Sequence, residues 1–228
     1  MKKKYKDPSY CLGFFFVVLY ERLIMYNPYD FYFKKAKKEG YKARSAFKLE
    51  EIQQKFFLIK KSTKNILDIW CAPWSRLQYS IAQLKKYWTK DYKVIWFDLK
   101  PVDLHFPWLY TYVQDVTDKE KVKAILSSQS IEKFDFIQSD MAPNTIGLKD
   151  IDAMRAIDLL DQTFWLYDEL LDENGSFVIK VFMGPWFDEF VAKMKKRFWW
   201  KNIKVFKPLS CRSQSKETYV IKLPPVKK

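Results

Sequence analysis

Short apolar segments alternate with amphipathic segments along the chain from residue 65 onwards. Seven of the apolar segments have the length of a strand, and helical periodicity fills most of the intervals between them. The strands are predicted at NILDIW, KVIWFDL, LYTYVQD, FDFIQSD, SFVIKVF, IKVFKP and ETYVIKL. Strands that alternate with helices predict an α/β fold with a mainly parallel sheet. The last two strands are close enough in sequence to pair antiparallel.

The helices between these strands are predicted at residues 75–87, 118–129, 149–171 and 186–198. Upstream of the first strand, SAFKLEEIQQKF predicts an amphipathic helix with Phe47, Ile52 and Phe56 toward one side. Asn174 and Gly175 predict a turn that leads into the fifth strand.

Acidic residues recur where the predicted strands end, at Asp98, Asp115 and Asp140. A single such residue is more often a helix cap or a loop acid. Ligands of parallel sheets bind at the carboxyl ends of the strands, and an acid after the second strand suits a ribose diol. The three acids therefore predict a nucleoside-containing cofactor, which leaves NAD and S-adenosylmethionine open.

The composition adds a strong positive charge, because 41 Lys and Arg face 27 Asp and Glu and give a net charge of +14. Such a charge favours a polyanionic partner, either nucleic acid or an anionic membrane surface, although solubility or an AT-rich genome also explains it. Three scattered cysteines without a C-x-x-C pair indicate a reducing compartment and argue against a zinc site. The one histidine, His105, lies in a loop-like stretch, so a triad or metal centre based on histidine is not expected.

The N-terminal part divides into an extension and a basic segment. Residues 12–20 are apolar but have about half the length that a bilayer span needs, so we predict a non-membrane extension over 1–27, not native if Met25 is the true start. Residues 28–228 form a single predicted domain. It begins with a segment that we interpret as a clamp on RNA phosphates, formed by Lys34, Lys35, Lys37, Lys38, Lys42 and Arg44. A solvated helix face is the alternative.

Six stretches follow one another in the order KKAKKEGYKARSAFKLEEI, LDIWCAPWSRLQ, FDLKP, SDMAPN, GSFVIKVFMG with FDEF, and SKETYVI. In sequence and in order, these stretches resemble the FtsJ/RrmJ family of ribosomal RNA 2′-O-ribose methyltransferases. The resemblance covers residues 28–223. It implies a Rossmann-like methyltransferase fold with a seven-stranded sheet, mainly parallel with an antiparallel last strand, and helices on both faces. It also implies S-adenosylmethionine as cofactor, large-subunit ribosomal RNA as partner with a uridine as target, and a cytoplasmic monomer.

The resemblance also implies roles for individual residues. The catalytic Lys-Asp-Lys-Glu set of the family falls on Lys48, Asp140, Lys180 and Glu217. The cofactor would be held by Trp70, Trp74, Arg76, Asp98, Asp115 and Asp140. No metal is expected.

The catalytic residue types suit the chemistry. A ribose 2′-hydroxyl is a poor nucleophile that must lose its proton as it attacks the methyl group. An amine accepts that proton only when its pKa falls well below the usual ~10.4. Lys180 is the only charged residue in the apolar run FVIKVF. A strand lysine that merely extends its amine to solvent explains this pattern poorly. For Lys48 and Glu217, a solvated surface charge is a serious alternative without the resemblance.

Tryptophan stands where the family has glycine or a small residue, at Trp70, Trp74, Trp96 and Trp186. A side chain at a turn that needs positive φ costs about 1–3 kcal/mol. One explanation is a non-catalytic RNA-binding or ribosome-assembly relative that has lost the cofactor. The other explanation, which we favour, is a translation with the wrong genetic code. Some bacteria read the UGA codon as glycine, and a code that reads UGA as tryptophan would place tryptophan at these positions. A third and weaker alternative is an NAD-binding enzyme, against which the missing G-x-G-x-x-G motif counts.

Overall fold

The computed structural model describes residues 31–70 and 73–225. The predicted extension over residues 1–27 lies outside this part of the chain. The helices are α1 (Phe31–Lys38), α2 (Ser45–Phe56), α3 (Ser75–Lys86), α4 (Lys119–Ser128), α5 (Lys149–Gln162), α6 (Phe164–Leu170) and α7 (Phe187–Arg197), followed by a 3₁₀ turn at Trp200–Asn202. The strands are β1 (Asn65–Ile69), β2 (Lys93–Asp98), β3 (Leu109–Val113), β4 (Phe134–Ser139), β5 (Leu171–Phe182), β6 (Ile203–Phe206) and β7 (Glu217–Lys222).

The seven strands form one sheet in the order β3-β2-β1-β4-β5-β7-β6. The pairings among β1 to β5 are all parallel, whereas β7 pairs antiparallel with β5 on one side and with β6 on the other. The predicted mainly parallel sheet with antiparallel pairing of the last strands is confirmed. The carboxyl ends of β1, β2 and β4 therefore meet at one edge, where the order of the strands reverses.

Helices cover both faces of the sheet, and alternate strand residues divide between two cores. Leu67, Ile137 and Ile179 face the core that α4 to α7 close. Ile66, Phe136 and Val178 face the core that α2 and α3 close. Within the described residues no helix is both long and apolar enough to cross a bilayer.

Two elements differ from the sequence prediction. The single helix predicted over residues 149–171 is wrong, because the chain breaks between α5 and α6 at Thr163. The Thr163 hydroxyl donates to the Leu159 carbonyl at 2.8 Å, a bond that competes with helical geometry. The predicted turn at Asn174 and Gly175 is instead an irregularity inside β5, whose pairing with β4 shifts register between Phe134 and Phe136.

Candidate active site

Four charged side chains meet beside the carboxyl edge of the sheet. Lys48 comes from α2, Asp140 follows β4, Lys180 lies in β5 and Glu217 begins β7. In the antiparallel ladder of β5 and β7, Lys180 pairs with Tyr219 and Phe182 pairs with Glu217. Because the two pairs are two residues apart, the side chains of Lys180, Tyr219 and Glu217 lie on one face of the sheet. That face is the one that α2 covers, which brings Lys48 over it.

The four side chains form two ion pairs. The Lys180 Nζ lies 3.0 Å from Asp140 Oδ1 and also donates to the Asp140 carbonyl at 2.7 Å. The Lys48 Nζ donates to both carboxylate oxygens of Glu217 at 2.7 Å. The four side chains are between 11% and 21% exposed, so each is largely shielded from water. The structure thus brings together all four residues that were predicted to be catalytic.

Positive neighbours keep Asp140 ionised. Burial alone raises the pKa of this carboxyl, but Arg76, Lys180 and Lys48 outweigh it and hold the pKa well below its usual range. The Arg76 guanidinium is 3.5 Å from Asp140 Oδ1. Arg76 was predicted to bind the cofactor directly, and the structure places it, almost fully buried, against Asp140. Its contact with a cofactor stays a prediction.

Tyr219 contributes a hydrogen bond that the sequence prediction missed. Its buried hydroxyl donates to Glu217 Oε1. Burial, followed by the charge of Glu217, raises the pKa of Tyr219 well above its ordinary value. The phenol therefore stays protonated and fixes the carboxylate that holds Lys48. Its position two residues after Glu217, on the same face of a strand, was the available signal.

The loop before Glu217 is fastened to α2. Glu51 accepts the backbone N–H groups of Leu209 and Ser210 at 2.6 and 2.8 Å. The Arg44 guanidinium donates to the Ser210 carbonyl. The Arg44 guanidinium is thus engaged in linking the start of α2 to this loop. Arg44 was predicted to contact RNA, and that role stays a prediction.

A pocket of about 230 Å³ opens at the ends of β1 to β4. Asp98, Asp115 and Trp70 line it, as predicted for cofactor residues, together with Leu99, Gln114, Val116, Thr117, Met141, Leu159 and Gln162, which the sequence analysis missed. The missed residues come from loops and from α5, which no strand-end rule identifies.

The donor set of this pocket fits the adenosine part of a cofactor. Asp98 is 4% exposed and lies at the end of β2, where a carboxylate can accept the two hydroxyl protons of a ribose. One oxygen of Asp98 accepts the N–H of Lys100, which fixes its orientation. Asp115 accepts from the backbone N–H and hydroxyl of Thr117, so its carboxylate is part of a local turn. Trp74 does not line this pocket and instead precedes α3 as its N-cap residue.

Left-handed backbone recurs at tryptophan. The φ angles are 56° at Trp70, 60° at Trp74 and 66° at Trp186, as expected for positions that favour glycine. Trp96 lies inside β2 and shows no such angle, but its side chain is fully buried and its indole N–H has no hydrogen-bond acceptor among the described residues. The backbone thus supports the glycine hypothesis at three of the four positions.

Two further tryptophans also have a positive φ, Trp88 at 55° and Trp199 at 62°, although the ψ of 121° at Trp199 sets it apart from the others. Trp88 follows α3 in a Schellman motif, in which the Thr89 N–H donates to the Leu84 carbonyl and the Trp88 N–H donates to the Lys85 carbonyl. Glycine is the usual residue at this position. Neither position was predicted, because a helix C-cap cannot be located from sequence to one residue.

The predicted RNA clamp is partly exposed. Lys34, Lys37 and Lys38 surround an open groove together with Phe33. Lys35 instead lies 3.6 Å from Glu50 and 4.2 Å above the ring of Phe47. These contacts hold Lys35 against the protein. Lys42 is exposed, and its backbone N–H donates to the Gln78 side chain. The RNA contacts of this segment stay a prediction.

A strand-end pocket whose donors suit a nucleoside, together with a largely shielded lysine–carboxylate quartet on a sheet with this strand order, is typical of an enzyme of the methyltransferase type. A family model described as FtsJ-like methyltransferase matches residues 41–223. The chain is 40% identical to the Ribosomal RNA large subunit methyltransferase E of Desulforapulum autotrophicum, over 85% of this chain and 91% of that protein. It is 37% identical to the protein of the same name from Methanocaldococcus jannaschii, over 88% of this chain and 80% of that protein.

Solved structures agree. A ribosomal RNA methyltransferase from Plasmodium falciparum superposes with a TM-score of 0.66 at 26% identity, over 82% of this chain and 100% of that chain. Human methyltransferase-like protein 13, at 10% identity and a TM-score of 0.52, covers 75% of this chain and 77% of its own and shares the fold. The chain belongs to the FtsJ-like methyltransferase family. The predicted family, fold and enzyme class are confirmed, and neither the non-catalytic nor the NAD-binding alternative is favoured.

Proposed function

We propose that this protein methylates the 2′-hydroxyl of a ribose in large-subunit ribosomal RNA, with S-adenosylmethionine as the methyl donor. The observation that supports this proposal most is the presence of two ion pairs, Lys180 with Asp140 and Lys48 with Glu217, beside the pocket that Asp98 lines. The relatives named ribosomal RNA methyltransferases support RNA as the substrate. A uridine target, a cytoplasmic location and a monomeric state go with this proposal.

Asp98 and Asp115 would hold the adenosine part of the cofactor, and Asp140 would lie near its methionine end. When bound, S-adenosylmethionine supplies an electrophilic methyl group. The chain must then place the ribose oxygen in line with that methyl group, and such alignment accounts for much of the acceleration in transfer reactions.

We assign proton acceptance from the 2′-hydroxyl to Lys180 Nζ. Asp140 fixes this amine through its carboxylate and its carbonyl, which leaves the nitrogen one well-defined direction toward a substrate. Lys48 adds positive charge that stabilises a developing alkoxide. Glu217, oriented by Tyr219, keeps Lys48 in place.

The test is single-turnover methylation of large ribosomal subunits and of their extracted RNA, followed by mapping of the modified ribose. Lys180→Ala should lower the rate about 10²–10⁴-fold, as expected for loss of a general base, while calorimetry shows nearly unchanged cofactor affinity. Lys180→Arg should not restore the rate, because a guanidinium stays protonated. Lys204→Ala, an exposed lysine on β6, is the control and should behave as the parent protein.

Two results would contradict the proposal in different ways. If Lys180→Arg transferred the methyl group at the parent rate, Lys180 would be an electrostatic anchor and not the base. If the parent protein bound the cofactor but methylated neither the subunits nor their RNA, ribosomal RNA would not be the substrate.

A further inference from the structure

We infer that four apolar side chains beside the catalytic lysine, the rim patch, bind the base of the nucleotide whose ribose is methylated. The rim patch consists of Ile146, Leu148, Ile151 and Met183. The inference rests on the proposed function, because it names the part of the substrate that this surface receives.

The rim patch lies where the strands that carry the catalytic residues end. Met183 directly follows β5 and is three residues beyond Lys180, about 10 Å along an extended strand. Ile146 and Leu148 belong to the loop that begins at Asp140, and Ile151 lies in the first turn of α5. The segments that carry the patch therefore continue directly from the two strands that hold Asp140 and Lys180, or belong to the helix that follows.

The segments that carry the rim patch are held together. Asp152, which is buried, accepts the backbone N–H groups of Ile146 and Gly147 at 2.8 and 3.1 Å and so folds the loop onto α5. A side-chain carbon at Gly184 would lie 2.8 Å from the Ala153 Cβ, so the segment after β5 packs directly on the same helix. The patch is thus a preformed surface and not a set of separate loops.

The same segments are also tied to the strand that carries Glu217. The Met183 N–H donates to the Lys216 carbonyl at 2.8 Å. The Lys216 amine lies 2.7 Å from Asp150 in the first turn of α5. The rim patch is therefore tied to the segment that leads into Glu217 as well as to the strand that carries Lys180.

The four side chains of the rim patch are large, apolar and exposed to solvent. Ile146 is 58% exposed, Leu148 57%, Ile151 44% and Met183 45%. They account for four of the sixteen large apolar side chains exposed among the described residues, yet they occupy two short segments. Scattered exposed apolar residues are ordinary, whereas a cluster marks a binding surface.

Its surroundings favour a nucleobase over an apolar protein partner. Basic residues belong to the same segments: Lys149 lies between Leu148 and Ile151, Arg155 donates to the Asn144 carbonyl, and the Lys216 amine pairs with Asp150. An apolar surface bordered by cations matches a nucleotide, whose base has apolar faces and whose phosphates are anionic. Trp186 adjoins the patch but is left out of it, because its left-handed backbone favours glycine.

The test removes the base and the patch separately and together. An RNA fragment that contains the mapped target is prepared intact or with an abasic ribose at that position, which keeps the 2′-hydroxyl. The full chain and the Ile146→Ser/Met183→Ser variant are compared by single-turnover methylation at varied RNA concentration. Cofactor affinity from calorimetry shows whether the variant is folded, and the Ile146→Ala and Met183→Ala single variants repeat the comparison with smaller changes.

With intact RNA, the double variant should raise the half-saturating RNA concentration about tenfold, with little change in the maximal rate. With abasic RNA, the parent protein should already be weakened and the double variant should lose nothing more. Val205→Ser, which removes an equally exposed apolar residue from β6, should change neither.

An equal loss with both RNAs would overturn the inference, because the patch would then not contact the base; so would parent-like behaviour of the double variant with intact RNA. Either result leaves the proposed function standing as long as the parent protein methylates the RNA. If the parent protein methylates no ribosomal RNA, the proposed function fails and the inference fails with it.

Discussion

Replacing Trp88 by glycine and by alanine measures the cost of left-handed backbone at a tryptophan. Trp88 is 84% exposed, so removing its indole sacrifices little packing. Both substitutions remove the same side chain, and their difference in unfolding free energy therefore reports on the backbone alone. Trp200, which is 61% exposed and begins the 3₁₀ turn, provides the matched control.

At φ 55° an alanine is strained by about 1–2 kcal/mol, whereas glycine is not, and the greater entropy of glycine in the unfolded chain offsets part of this gain. We expect Trp88→Gly to be more stable than Trp88→Ala by about 1 kcal/mol. At Trp200 the order should reverse, with Trp200→Gly less stable than Trp200→Ala by about 0.5–1 kcal/mol.

The assay is equilibrium denaturation of the four variants in urea, with thermal unfolding as a second measurement. A difference of about 1 kcal/mol corresponds to about 2–4 °C in the midpoint for a domain of this size. The reasoning is refuted if alanine is the more stable residue at both positions. In that case the positive φ at Trp88 would carry no strain, and the backbone would give no support to glycine at the other tryptophans.

Three further outcomes are expected. Peptide mass spectrometry of the protein from its own source should find glycine at the tryptophans with positive φ, which are Trp70, Trp74, Trp88, Trp186 and Trp199. Tryptophan at all five positions would revive the non-catalytic alternative. Alanine at Lys34, Lys37 and Lys38 together should flatten the dependence of log K for RNA on log salt by about 0.7–0.9 per lost phosphate contact, whereas Lys35→Ala should leave the slope unchanged. Burial lowers the pKa of Lys222 from 10.5 to about 8, so the unfolded chain binds more protons between these values and stability should rise with pH across them. Lys222→Met should remove this rise, and an identical pH profile in both proteins would contradict the assignment.

The sequence predicted the fold where local pattern and global arrangement agree. Six of the seven strands and the second part of β5 were predicted within a few residues, because β-branched and aromatic residues fill them and polar residues separate them. The prediction failed at Thr163 and in the first part of β5. The first failure goes with the hydrogen bond from the Thr163 hydroxyl to the Leu159 carbonyl, and the second with the register shift between β4 and β5. Hydrophobic periodicity encodes neither feature.

The candidate site was predictable only in part. The four charged residues were identified through the family resemblance, and their spacing alone would not have joined Lys48 to Glu217. Neither the burial of Arg76 against Asp140 nor the bond from Tyr219 could be predicted, because each depends on how a helix is placed over the sheet. The lining of the pocket by α5 could not be predicted for the same reason, because it also depends on how this helix is placed over the sheet.

The position of β7 has a consequence for biosynthesis. This strand is the last to leave the ribosome, yet it lies between β5 and β6 in the sheet. Until it is inserted, the backbone of β5 next to Lys180 has no hydrogen-bonding neighbour on that side, and the described residues give β6 no other strand to pair with. Lys48 and Glu217 are also 169 residues apart. A nascent chain therefore has neither the complete sheet nor the complete set of four charged residues before residue 222 emerges, and a chain that terminates earlier exposes an aggregation-prone edge.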